Sequence, residues 1–111
     1  MAHDSAVFRI LLRTQIEPTK TDEFEKVWTE VAVVIGRQPA NLGQWLMRSA
    51  SEPCVYYILT DWADEAQFRA FERSEEHVGH RARLKPYRSG DSMTTMHVVR
   101  ALGKGGGISD V

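Results

Sequence analysis

His77 and His80 stand three residues apart in the run Glu75-Glu76-His77-Val78-Gly79-His80-Arg81. Imidazole changes charge near neutral pH, which makes these two the side chains best suited to proton transfer. Three residues is close to one helical turn, so the pair shares a face and could act as a base or a paired relay. Helical phase with Phe71 and Leu84 turns His80 toward the interior. Glu75, Glu76 and Arg81 also fit a solvated helix face, the plainer reading for His77. His97 is a third candidate, and His3 lies near the terminus. The same spacing suits a metal ion, with Glu76 or Asp91 to complete the set. With no Cys or third His at a motif spacing, no metal is expected.

Aromatic side chains supply the second kind of chemistry. Trp62, Trp45, Trp28, Tyr56, Phe68 and Phe71 could line a pocket for a flat polycyclic ligand. Ordinary core packing is the better reading for Trp28 and Phe24. Tyr87 and Arg83 could line its mouth. Arg13, on an otherwise apolar strand, reads as a surface or inter-subunit ion pair. Cys54 follows Pro53 with no His nearby in sequence, which argues against a nucleophile.

These residues must be positioned by regular elements. Val7 to Ile16 is rich in β-formers and reads as a strand with apolar residues on both faces. Glu17 to Lys20 breaks it. Thr21 then reads as an N-cap with Asp22 and Glu23 in the first turn. Phe24, Val27, Trp28, Val31, Val34 and Ile35 recur at helical spacing, and Gly36 and Pro39 mark the end. Gly43 to Ser49 and Val55 to Trp62 read as an antiparallel hairpin. Asp64 and Gln67 form a capping box for the next helix. A break near Ser74 separates a second helical piece, Glu75 to Leu84. Tyr87 to Asp91 reads as a loop and Ser92 to Arg100 as the last strand. Gly103 to Val111 reads as a flexible, glycine-rich tail.

The order β-α-β-β-α-β predicts an α+β, ferredoxin-like domain over residues 1–102 with an antiparallel sheet. The helices cover one sheet face. The other carries apolar residues too, and its economical cover is the same face of a second copy, giving a homodimer.

The chain has 111 residues, enough for one domain with a modest core. Its formal net charge of -1 sets up no field that would gather nucleic acid or an anionic membrane. One cysteine permits no internal disulfide. Neither a signal peptide nor a membrane span is read in the sequence, so a cytoplasmic location is expected.

The third strand and the helix after it read Tyr57-Ile58-Leu59-Thr60-Asp61-Trp62-Ala63-Asp64-Glu65-Ala66-Gln67-Phe68-Arg69-Ala70-Phe71, followed by Glu76-His77-Val78-Gly79-His80. The first helix opens Thr21-Asp22-Glu23-Phe24-Glu25-Lys26-Val27-Trp28. From Val7 to Leu102 the chain resembles antibiotic biosynthesis monooxygenase domains. These combine a strand ending in Trp, an acidic helix start, a helical aromatic and then one or two His. The resemblance implies a dimeric α+β barrel with its cavity between sheet and helices. It puts Trp62 at the cavity-lining Trp. Ile58 and Phe68 stand where the quinone-forming members carry Asn and Tyr. Leu12, Phe71 and His80 stand where the haem-degrading members carry Asn, Trp and His, so two of three differ and haem degradation is not implied.

The function the resemblance implies is a small monooxygenase without a bound cofactor, forming a quinone from an aromatic, polyketide-like substrate. His80, Trp62 and His77 are its candidate catalytic residues. Ile58, Phe68, Phe71, Tyr56, Tyr87 and Arg83 are its candidate substrate contacts. The alternatives are a polyketide cyclase or other non-redox enzyme of the same fold, and a non-catalytic small-molecule binding module.

Overall fold

The computed structural model describes residues 6–103, and its elements follow in the order β-α-β-β-α-α-β. Strand β1 (Phe8–Ile16) is paired on both sides, antiparallel to β3 (Val55–Trp62) and to β4 (Arg88–His97). Strand β2 (Asn41–Arg48) pairs with the outer side of β3, giving the sheet order β2-β3-β1-β4. This is the ferredoxin-like α+β arrangement.

The period-2 geometry of a strand divides the side chains between two faces. Phe8, Ile10, Thr14 and Ile16 of β1 are buried, and the first three pair in register with Trp62, Thr60 and Tyr56 of β3. Helix α1 (Thr21–Ile35), helix α2 (Glu65–Glu72) and helix α3 (Glu75–Leu84) cover this face. Phe68 and Phe71 of α2 close one cluster over Phe8, Ile10, Ala40 and Trp62. Phe24 and Val31 of α1 and Leu84 of α3 close a second over Ile16, Tyr56 and Ile58. Phe24 is fully buried, a placement that stabilises by about 2–3 kcal/mol for a side chain of its size.

The opposite face carries Leu11, Trp45, Tyr57 and Leu59, all half-buried, with Met47 and Met96 exposed. Among them Asp61 is buried beneath Arg9, which donates to its two carboxylate oxygens at 2.7 and 2.8 Å.

Local signals explain most boundaries. Asp64 caps α2, accepting from the Gln67 backbone N–H at 2.8 Å, and that bond holds its carboxyl below the usual range. Ser74 caps α3 by accepting from the His77 N–H. Several boundaries depart from expectation; β2, for one, runs from Asn41 to Arg48 rather than from Gly43 to Ser49. Lys20, not Thr21, occupies the N-cap of α1 and makes no side-chain cap, because a 3₁₀ turn over Pro18–Lys20 leads straight into the helix and draws Thr21 inside. Strand β4 begins at Arg88 rather than Ser92 and ends at His97 rather than Arg100. The segment Arg88-Ser89-Gly90-Asp91 holds no strong β-former, yet Ile16 and Gln15 pair with Arg88 and Ser89 after a register shift in β1. Gly90 takes φ 63° within it, which costs glycine nothing. His3 and all but the first residue of the expected Gly-rich tail lie outside the described residues.

Candidate active site

The space between the helical layer and the sheet is not filled. A cavity of about 260 Å³ remains, walled by Ile10 and Leu12 of β1 and by Ile58, Thr60 and Trp62 of β3. Trp28, Val31 and Ile35 of α1 close one side, and Phe68 and Phe71 of α2 another. The Trp62 ring packs 5.5 Å from Phe68 and 4.9 Å from Phe71 between centroids. Its indole N–H donates to Thr60 Oγ1 at 3.1 Å, which fixes the ring against the sheet.

Polar groups enter this apolar space from α3 and the start of β4. His77 and Arg81 are one turn apart on α3 and both line the cavity, together with Leu84. Arg88, Asp91 and Glu72 line it as well. The His77 ring lies 4.7 Å from Phe71, and its Nδ1 is buried without a hydrogen-bond partner among the described residues. Burial lowers its pKa to about 4, and the positive charge of Arg81 adds to the effect. Near neutral pH His77 is therefore an uncharged imidazole with a nitrogen free to accept a hydrogen bond. Glu72 is paired with Arg69 at 3.1 Å. Asp91 accepts the Thr14 hydroxyl and lies 3.5 Å from Arg88 Nε without a hydrogen bond to it.

The structure sorts the residues singled out in the sequence. Trp62, Ile58, Phe68, Phe71 and His77 come together on the cavity wall. His80 does not line it; its ring is nearly buried, with Nε2 unpartnered 4.0 Å from Glu76. Tyr56, Tyr87 and Arg83 bond to acidic residues of α1 instead. Tyr56 donates to Glu25, Tyr87 to Glu23, and Arg83 to Glu30 at 2.6 Å. Burial and the Glu25 bond push the Tyr56 phenol up to about 12. These three fasten α1 to the rest of the domain. His97 is exposed on β4, where it packs against Phe8. Arg13 pairs with Glu52 at 2.8 Å. Among the described residues no group of three His, Cys, Asp or Glu side chains could hold a metal ion, and no helix is long and apolar enough to cross a membrane.

Thr60, Glu72, Arg81 and Arg88 were not read from the sequence as cavity residues. Arg81 carried a usable signal, since it lies four residues beyond His77 on one helix. Arg88 carried none, because its segment reads as a loop.

Residues 7–83 of the chain that forms this aromatic cavity match one family model, that of the antibiotic biosynthesis monooxygenases. The chain belongs to that family. The matched span takes in β1 through most of α3, including His77 and Arg81, and stops before Arg88. No curated protein matches the sequence significantly. Among solved structures, a protein from Caulobacter crescentus assigned as an antibiotic biosynthesis monooxygenase is 23% identical with a TM-score of 0.78, over 89% of this chain and 95% of that one. SnoaB, a cofactor-independent oxygenase from Streptomyces nogalater, is 20% identical with a TM-score of 0.76, over 89% of this chain and 99% of its own. A Nitrosomonas europaea protein assigned to the same family is 12% identical with a TM-score of 0.77, over 87% of this chain and 94% of that one. At these identities the likeness is one of fold. Family membership establishes a monooxygenase-type scaffold, and this chain departs from the quinone-forming pattern at Ile58 and Phe68, both on the cavity wall.

Proposed function

We propose that the protein is a cofactor-independent monooxygenase that oxidises a flat, aromatic, polyketide-like substrate to a quinone. The observation that carries this reading is a neutral His77 set into the wall of an aromatic cavity. Its free nitrogen accepts the proton of an anthrone or hydroquinone as the substrate anion forms beside it, that negative charge raising the basicity of the imidazole. The resulting carbanion or phenolate gives its electrons to dioxygen. For an anthrone, one oxygen atom becomes the new carbonyl and the other leaves as water; a hydroquinone gives the quinone and hydrogen peroxide, with no oxygen atom incorporated. Trp62, Phe68 and Phe71 stack on the substrate's rings and keep water from the anion. Of the other residues first considered for this chemistry, His80 is in reach only as a neighbour of His77, and Tyr56, Tyr87 and Arg83 hold α1 in place. We further propose that residues 1–102 act as one domain in the cytoplasm, paired as a homodimer through the apolar sheet face, with no bound cofactor and no nucleic-acid or membrane partner.

Ile58 and Phe68 favour a second reading, because they offer no polar group to a peroxide or phenolate. On that reading the same cavity serves a cyclase or other non-redox enzyme, or a binding module. Oxygen uptake with a panel of anthrones and hydroquinones separates them. Uptake above background with a quinone product supports the oxygenase, and none across the panel overturns it. A product of unchanged mass points to the cyclase, and binding without turnover to the module.

A further inference from the structure

The polar side of the cavity holds guanidinium donors that lack hydrogen-bond partners. Arg81 and Arg88 both line it. Two carboxylates stand beside them: Glu72 bonds at 3.1 Å to Arg69, which also holds Glu65, and Asp91 lies 3.5 Å from Arg88 Nε. His77 adds no charge near neutral pH, and His80 stands outside the wall. Arg81 is exposed and makes no ion pair with any described residue, and Arg88 keeps its Nε buried with no hydrogen-bond partner among them. A guanidinium offers paired N–H donors in a plane, the geometry of a carboxylate. Leaving a buried donor such as Arg88 Nε unmatched is costly.

We infer that the cavity is built for an aromatic molecule bearing one carboxylate, which docks on Arg81 and Arg88 while its rings lie against Trp62, Phe68 and Phe71. This rests on the reading of the cavity as an aromatic substrate site and names the group that orients the substrate in it. The apolar remainder of the wall suits an uncharged ring system. Arg81 and Arg88 are thus positioning residues, setting which edge of the ring meets His77.

The test uses two probes of equal shape, 2-naphthoate and the neutral 2-naphthamide. Both are titrated into the full-length protein at neutral pH and followed by the indole N–H shifts of Trp62 and Trp28. Naphthoate is expected to bind about ten- to a hundredfold more tightly than the amide. Arg81→Gln, an exposed helical substitution, should bring that ratio close to one, and Arg88→Gln should do the same. Arg81→Glu should invert the preference. Equal affinity in the wild type, or a ratio that survives the loss of either arginine, overturns the carboxylate inference while the aromatic pocket stands. If neither probe shifts the indoles, both the inference and the pocket reading fall.

Discussion

The pKa of His77 is set by where its ring sits, and this has consequences for both catalysis and stability. Free imidazole titrates near 6.5, whereas burial against Phe71 lowers His77 to about 4. Arg81, His80 and Arg88 push in the same direction and Glu72 opposes them. The unfolded chain therefore binds a proton at His77 between these two values when the folded chain does not. Stability from this residue is complete above pH 6.5 and is lost as pH falls from there through about 4. Denaturant midpoints measured at pH 7 and at pH 4.5 should differ less in His77→Gln than in the wild type. As a base, His77 is already deprotonated at pH 5.5, so the profile of kcat/KM should show no limb near 6.5. The same variant should lower kcat by about a hundredfold or more. The sequence offered both histidines, and only the fold separated them. Phase was carried from Phe71 to His80 across Ser74, but α2 ends at Glu72 and a new helix starts at Glu75, so that count breaks at the cap. Counted within α3, the cavity stripe is His77, Arg81 and Leu84. Trp62 and its aromatic neighbours were legible because strand alternation and helical spacing run unbroken there.

Helix α3 and strand β2 each hold a glycine, and the two have opposite roles. A Cβ at Gly79 of α3 would meet nothing within 4 Å. Its cost is purely the backbone freedom it surrenders in a helix. Gly79→Ala should therefore stabilise the domain by about 0.5–1 kcal/mol, a rise of a few degrees in Tm. A Cβ at Gly43 of β2 would lie 2.7 Å from the Trp45 ring, next to the register shift between Asn41 and Gly43. Gly43→Ala should displace the indole and lower Tm. Thermal unfolding of the two variants side by side checks both signs. At this scale the sequence was a good guide where a cap or a run of β-formers spoke locally, as at Asp64 and Val55–Trp62, whereas Ser74 read only as a break and the cap expected at Thr21 lies at Lys20. It failed at Arg88–Asp91, where pairing with β1 makes a strand from residues with no such preference.

Across the whole molecule, the open sheet face carries the case for self-association. Leu11 and Trp45 both stand opposite Leu59, with Met47, Tyr57 and Met96 around them. Light scattering should give twice the chain mass at micromolar concentration. Leu59→Lys should halve it, and far-ultraviolet circular dichroism would show whether the fold persists. A wild-type monomer would remove the homodimer from the proposal. The β-α-β-β-α-β order was legible because each element carries its own periodicity, whereas the meeting of Arg81 and Arg88 on the cavity wall was not, because it arises only when α3 and β4 come together. The alternation along β3 has one more consequence. Ile58, Thr60 and Trp62 look into the cavity, while Tyr57, Leu59 and Asp61 look away from it. Neighbours in the chain thus answer to different pressures, and the sheet works as a partition. One side can drift toward a new ligand while the other keeps its old shape, so this scaffold can change its chemistry one odd- or even-numbered position at a time.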